Sequence, residues 1–201
     1  MQAIEILSSE HRVIERVIAA LDAAAARLEA GQAVPARFFI EATRFIRNFA
    51  DGYHHGKEEG VLFEAMARNG MAMDAGPIGM MRYEHDRARE LTAGLGDAAD
   101  RLAAGDSSAA RTVADYARAY GELLTQHIFK EDNILFPMAA QAILPAEQDE
   151  VLDEFKRVER EQAETGSKAS YLDLALALCN EMGVDIESVP RREVALPCHT
   201  R

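Results

Sequence analysis

Apolar residues recur at three- and four-residue intervals along most of the chain, while Val, Ile and Thr are scattered and do not alternate with polar neighbours. That period belongs to helices, and no stretch reads as a strand. Gly and Pro fall between the periodic stretches. Gly31 and Pro35 follow the first, Gly70, Gly76 and Pro77 the second, and Gly105 precedes the fourth. Pro145 opens a fifth stretch and Gly166 precedes a sixth. The first helix is expected to take Ser8 or Ser9 as its N-cap and to run to about Ala30, with Ile14, Val17, Ile18 and Leu21 as its stripe. The second follows Pro35 to about Arg68, with Phe39, Phe45, Ile46 and Phe49 apolar. The third spans about Ile78 to Ala104, and the fourth about Ala109 to Ala140, where Pro137 is expected to kink or end it.

Four long helices with short connections predict an all-α fold, an antiparallel up-down four-helix bundle over residues 1–142. Residues 143–201 form a C-terminal helical extension: a charged amphipathic helix over 145–164, another over 168–182, and an irregular tail after Gly183. The extension lacks Gly-rich nucleotide-binding signatures and is expected to pack on the bundle or to mediate a homodimer.

An internal repeat carries the chemistry. Residues 54–63 read HHGKEEGVLF and residues 127–136 read HIFKEDNILF, 73 positions apart. Aligned without gaps, His54 meets His127, Lys57 meets Lys130, Glu58 meets Glu131, and Leu62–Phe63 meets Leu135–Phe136. That spacing is too long for a solenoid and suits two helical hairpins related by an approximate two-fold axis. Positions i and i+4 of a helix lie about 40° apart, so each pair projects an imidazole and a carboxylate toward one point. His55 and Glu59 share the spacing, but Ile128 stands where a second His would have to recur, which makes His54 and Glu58 the principal pair. His11 lies on the apolar face of the first helix, and His85 is in line with Met81, Ala88, Thr92 and Leu95 on the third. Of six His, only His199 in the tail has no place in this arrangement. Buried bare carboxylates are costly, and a pair of cations would satisfy both at once. Taken singly, a His on an apolar face is more often a hydrogen-bonded core residue, and an isolated HxxxE is often an exposed pair. The repeat outweighs those bland readings. Gly52, Gly56 and Gly60 form a stripe that reads as close helix packing in preference to access to the site.

Composition narrows the classes. The chain has 201 residues, 22 Lys+Arg against 34 Asp+Glu and a net charge of −12, which argues against nucleic-acid partners. The charge-free stretch over residues 134–146 falls short of the ~18 residues a membrane span needs. The first residues carry acids where a signal peptide would be basic and then apolar. Cys179 and Cys198 are too few for a disulfide framework or a Cys-based metal site, so a cytoplasmic location is expected.

The pattern H…HxxxE…H…HxxxE resembles the hemerythrin-like family, also called the HHE cation-binding domain, over about residues 4–140. The resemblance implies a four-helix bundle with a non-haem di-iron centre. It makes His11, His54, His85 and His127 terminal ligands, and Glu58 and Glu131 carboxylates bridging two oxo- or hydroxo-bridged irons. Oxygen-carrying members have HxxxH on the third helix, whereas Met81 and Arg89 flank His85 here. Four His leave two coordination positions open, and rapid autoxidation of the reduced protein follows unless a further side chain closes one. His55 ranks first for that role, ahead of Tyr53 and Glu84, with a hydrogen bond that orients a ligand as its equal alternative. The expected function is binding or reduction of dioxygen, peroxide or nitric oxide in sensing, storage or stress response. A metal-free signalling bundle with a phosphoryl-accepting His, or an interaction module, is the alternative.

Overall fold

The buried stripe of the first helix begins ahead of its serines, because Ala3 and Leu7 are fully buried. In this computed structural model, which describes residues 1–163 and 166–185, α1 therefore runs Gln2–Glu29, straight through Ser8 and Ser9. Neither serine caps it. Ser9 Oγ donates back to the Ile6 carbonyl at 2.7 Å, and Ser8 Oγ donates to Asp132 at 3.2 Å.

The second helix, α2, occupies residues 36–68 behind Pro35, as the sequence predicts. It is α-helical over Ala36–Phe45, widens into π turns over Ile46–His55 and Glu58–Leu62, and closes as α-helix over Phe63–Arg68. The third, α3, spans Gly76–Ala103. The fourth, α4, covers residues 109–142 as Ala109–Lys130, a π turn at Glu131–Leu135, and Phe136–Ala142. The wide turns Glu58–Leu62 and Glu131–Leu135 occupy the same place in the two halves of the repeat. Pro137 does not end α4. It sits at the start of the segment after the π turn, where the widened backbone tolerates a missing N–H and moves the carbonyl its ring would strike.

The four helices form the expected bundle, with no strand among the described residues. After the short turn Pro145–Glu147, α5 (Gln148–Gln162) and α6 (Lys168–Met182) form the C-terminal extension and pack back on α1 and α2. Ser167 Oγ caps α6 by accepting the Ser170 N–H, and Gly183, at φ +69°, supplies the left-handed turn that closes it. The extension shares the bundle's cores. Tyr171, Ala175, Leu178, Cys179 and Met182 close one apolar cluster, together with Phe45, Phe49 and Tyr53. Val151, Phe155 and Val158 close another, together with Leu62, Phe63, Met66 and Phe136. A Cβ on Gly52 would come within 2.8 Å of Gln162, and one on Gly56 within 3.5 Å of Val158, whereas nothing lies within 4 Å of Gly60. Two of the three stripe glycines thus serve packing against α5. The tail from residue 186 onward, with His199 and Cys198, lies outside the described residues. No described helix is long and apolar enough to cross a membrane.

Candidate metal centre

Between the two apolar clusters, the four bundle helices bury a polar layer. His11, His54, His55, His85, His127, Glu58 and Glu131 are each at most 2% exposed. The His Nε2 atoms and the two carboxylates face one another. His11 and His127 Nε2 each lie 3.2 Å from Glu131 Oε2, while His54 Nε2 lies 3.4 Å and His85 Nε2 3.5 Å from Glu58. Two groups could each hold a metal ion: His11, His54, Glu58 and Glu131, and His55, Glu58, His85 and His127. Glu58 belongs to both.

The unpaired atoms make the same point. The Nε2 atoms of His11, His54 and His55 and all four oxygens of Glu58 and Glu131 lack a hydrogen-bond partner. Orphaned buried polar atoms are costly, and so dense a group of electron-pair donors fits a shared cation. His85 and His127 bring their Nε2 atoms to 3.1 Å of each other.

Each imidazole is fixed from behind. His11 Nδ1 faces Asp132 at 3.0 Å, His54 Nδ1 faces Glu10 at 3.1 Å, and His127 Nδ1 faces Glu84 at 3.0 Å. His85 Nδ1 faces Glu59 at 2.7 Å and His55 Nδ1 faces Asp51 at 3.4 Å. A carboxylate only accepts, so Nδ1 carries the proton and donates, and the Nε2 lone pair turns inward, as metal ligation requires. A cation in turn pins every one of those carboxylates. Arg12 pairs with Asp132, Lys57 with Glu10, Lys130 with Glu84, and Arg89 with both Asp51 and Glu59. This explains the Lys of the repeated HxxKE. Lys57 and Lys130 reach the carboxylates that orient the His three residues before them.

The electrostatics of the metal-free layer show what a cation would relieve. Burial and the neighbouring Glu131 push the Glu58 carboxyl well above its ordinary range. Burial also lowers the His54 and His85 imidazoles, with other imidazoles close by. Burial alone would lower His127 too, but Glu131 and Glu84 carry it up to about 9. Glu131 is held well down, since His127 and His11 outweigh its burial. In the metal-free protein, then, a proton held on His127 and a Glu58 carboxyl pushed toward its neutral form relieve part of the imbalance that a cation would remove.

All six residues expected from the sequence as ligands meet in this layer. Of the three further candidates, His55 is in it. Glu84 orients His127 and accepts from Lys130, in neither cluster. Tyr53 bonds to Glu159 and lies under Lys57, 4.2 Å from the ammonium. Sequence reasoning missed Glu10, Asp51, Glu59 and Asp132. Their signal, an acid beside or one turn from a His or Glu of the motif, is common on helices. Glu10 also serves His54 on another helix instead of its neighbour His11.

The Hemerythrin HHE cation binding domain matches residues 2–139. Among curated proteins, one of Mycobacterium bovis and two from strains of Mycobacterium tuberculosis, each named only as uncharacterized, are 27% identical over 180 residues. These alignments cover 90% of this chain and 70% of each relative. No solved structure gives a significant match. With the match spanning all but the last turn of the bundle and the buried His/Glu layer at its centre, the chain belongs to the hemerythrin HHE cation-binding domain family.

Proposed function

We propose that the chain holds two iron ions and binds or reduces a small oxidant: dioxygen, peroxide or nitric oxide. The observation that carries this reading is the pair of four-residue clusters meeting at Glu58, with Glu131 beside it. Mixed imidazole and carboxylate donors suit a redox metal better than a thiolate-rich structural site would. When bound, such a pair supplies electrons and open positions for an exogenous ligand. Counting His55 as a fifth imidazole leaves one open position, which favours reversible ligand binding over rapid autoxidation.

The side chains around the layer define an approach. A cavity of about 180 Å³ between α2 and α3 is lined by Asp51, His55, Ala88, Arg89, Thr92 and Tyr120, among others, and reaches the metal layer at His55. The Tyr120 hydroxyl is buried and finds no protein partner, so it is available to donate to a small ligand there. Buried His also weighs against phosphoryl transfer to this bundle. None of the five imidazoles is more than 2% exposed, and an acceptor His has to meet its donor in solvent.

Metal analysis of protein expressed in iron-replete medium tests the reading. The expected result is two irons per chain, near-ultraviolet absorption from a bridged ferric pair, one azide bound per pair, and loss of most metal in Glu131→Ala. A single zinc, or no metal, would overturn it.

A further inference from the structure

The pseudo-two-fold of the repeat, already broken where Ile128 stands opposite His55, is broken again by the C-terminal extension. On the His127 side, Glu84 is held by Lys130 alone, whose side chain is 30% exposed. On the His54 side, the equivalent carboxylate is Glu10, itself buried, and it takes two ammonium groups. Lys57 is fully buried, and Lys168 arrives from α6 at 3.0 Å. Glu159 of α5 accepts from Lys57 at 3.3 Å and bonds to the Tyr53 hydroxyl, and the Tyr53 ring lies under both lysines. The two extension helices therefore complete a network that ends on His54 Nδ1. The other cluster has no such cover, because the cavity at His55 opens beside it and the His55–Asp51 contact is the longest of the five.

We infer that the two metal positions are unequal: Lys168 and Glu159 of the extension lock the His11/His54 position, leaving the His55/His85/His127 position the exchangeable one. Lys168 and Glu159 act as positioning residues through Glu10 and Lys57, and neither touches the metal layer. A buried carboxylate that loses one of its cations is freer to turn, and the imidazole it orients follows it. Loss of partners behind a ligating His typically weakens a metal site by about 10- to 100-fold, and partners one step further out act less strongly. The inference rests on the two-metal reading above.

The test uses the full chain loaded with cobalt(II), whose visible bands report ligand orientation, and follows release into excess chelator. Wild-type protein is expected to hold two cobalt ions and to release them in a fast and a slow phase. Lys168→Met, at a side chain 40% exposed, should accelerate the slow phase by about threefold to tenfold and shift its bands, leaving the fast phase alone. Lys168→Arg should restore the slow phase, and Lys130→Met should accelerate the fast phase only. A variant that speeds both phases equally, or neither, while melting as the wild type does would overturn the inference. Wild-type protein that binds only one cobalt would instead overturn the two-metal reading, and the inference with it.

Discussion

Replacing Glu58 by Gln separates what the fold needs from what the metal needs. Burial and Glu131 push the Glu58 carboxyl toward its protonated form in the metal-free protein, so an amide of the same size replaces a group already shifted toward neutrality. The metal-free variant should melt within about 2 °C of the metal-free wild type, the range of a sub-kcal/mol change in a chain of this length. With metal the expectation reverses. An ion present at a hundredfold its Kd stabilises the fold by about 2.7 kcal/mol, so two ions contribute about 5 kcal/mol. At about 2–4 °C per kcal/mol, metal should raise the wild-type melting temperature by about 10–20 °C. Glu58 belongs to both clusters, so Glu58→Gln should abolish most of that rise. Glu131→Gln is the contrast. Its carboxylate is held ionised between His11 and His127, and removing that charge strands a protonated imidazole in the interior. Breaking a buried pair in this way costs about 3–5 kcal/mol, so Glu131→Gln should lower the metal-free melt as well. The assay is thermal unfolding followed by circular dichroism, with and without chelator. Equal shifts of the two metal-free variants, or an undiminished metal effect in Glu58→Gln, would refute the reasoning.

Three further outcomes follow from the structure. His127, raised to about 9, contributes stability that is fully present below its unfolded value of about 6.5 and is lost as pH rises through 9. Metal-free protein should therefore melt lower at pH 9.5 than at pH 6.5, and metal-loaded protein, whose His127 carries no such proton, should not show this fall. Gly79→Ala should destabilise by about 1–3 kcal/mol in urea titration, because its Cβ would sit 2.7 Å from the Asp74 carbonyl carbon. Tyr120→Phe removes the unpartnered hydroxyl at the cavity, so azide titration of the ferric protein should show weaker binding with metal content unchanged.

The bundle was legible because the apolar period survives along all four helices, and the repeat marked the site because Glu58 and Glu131 recur with their His four residues earlier. The N-terminal boundary was not legible, since Ser8 and Ser9 are good caps in isolation and only the burial of Ala3 and Leu7 moves the start of α1 forward. The outer carboxylates were hidden for a different reason. Glu10 and Asp132 serve His on other helices, and no spacing along one helix encodes a contact across the bundle. His55 was ambiguous because a uniform 100° step misplaces residues next to π turns, and α2 has one ending at His55 and another starting at Glu58.

Those wide turns set a design rule for the scaffold. A π turn spends an extra residue per revolution and rotates everything after it relative to everything before it. In α2 the turn begins at Glu58 and in α4 at Glu131, each starting at the carboxylate and ending on the Leu of the Leu-Phe pair that locks the helix into its core. Deleting one residue from either turn, for instance Gly60 with its open surroundings, would restore a regular spiral and improve backbone hydrogen bonding. It would also swing the His and Glu out of phase with the leucine and phenylalanine beneath them. The irregularity is therefore a phase shifter: it lets one helix present an apolar face to its core and a ligand face to its metal layer, two demands a uniform helix of this sequence could not meet together.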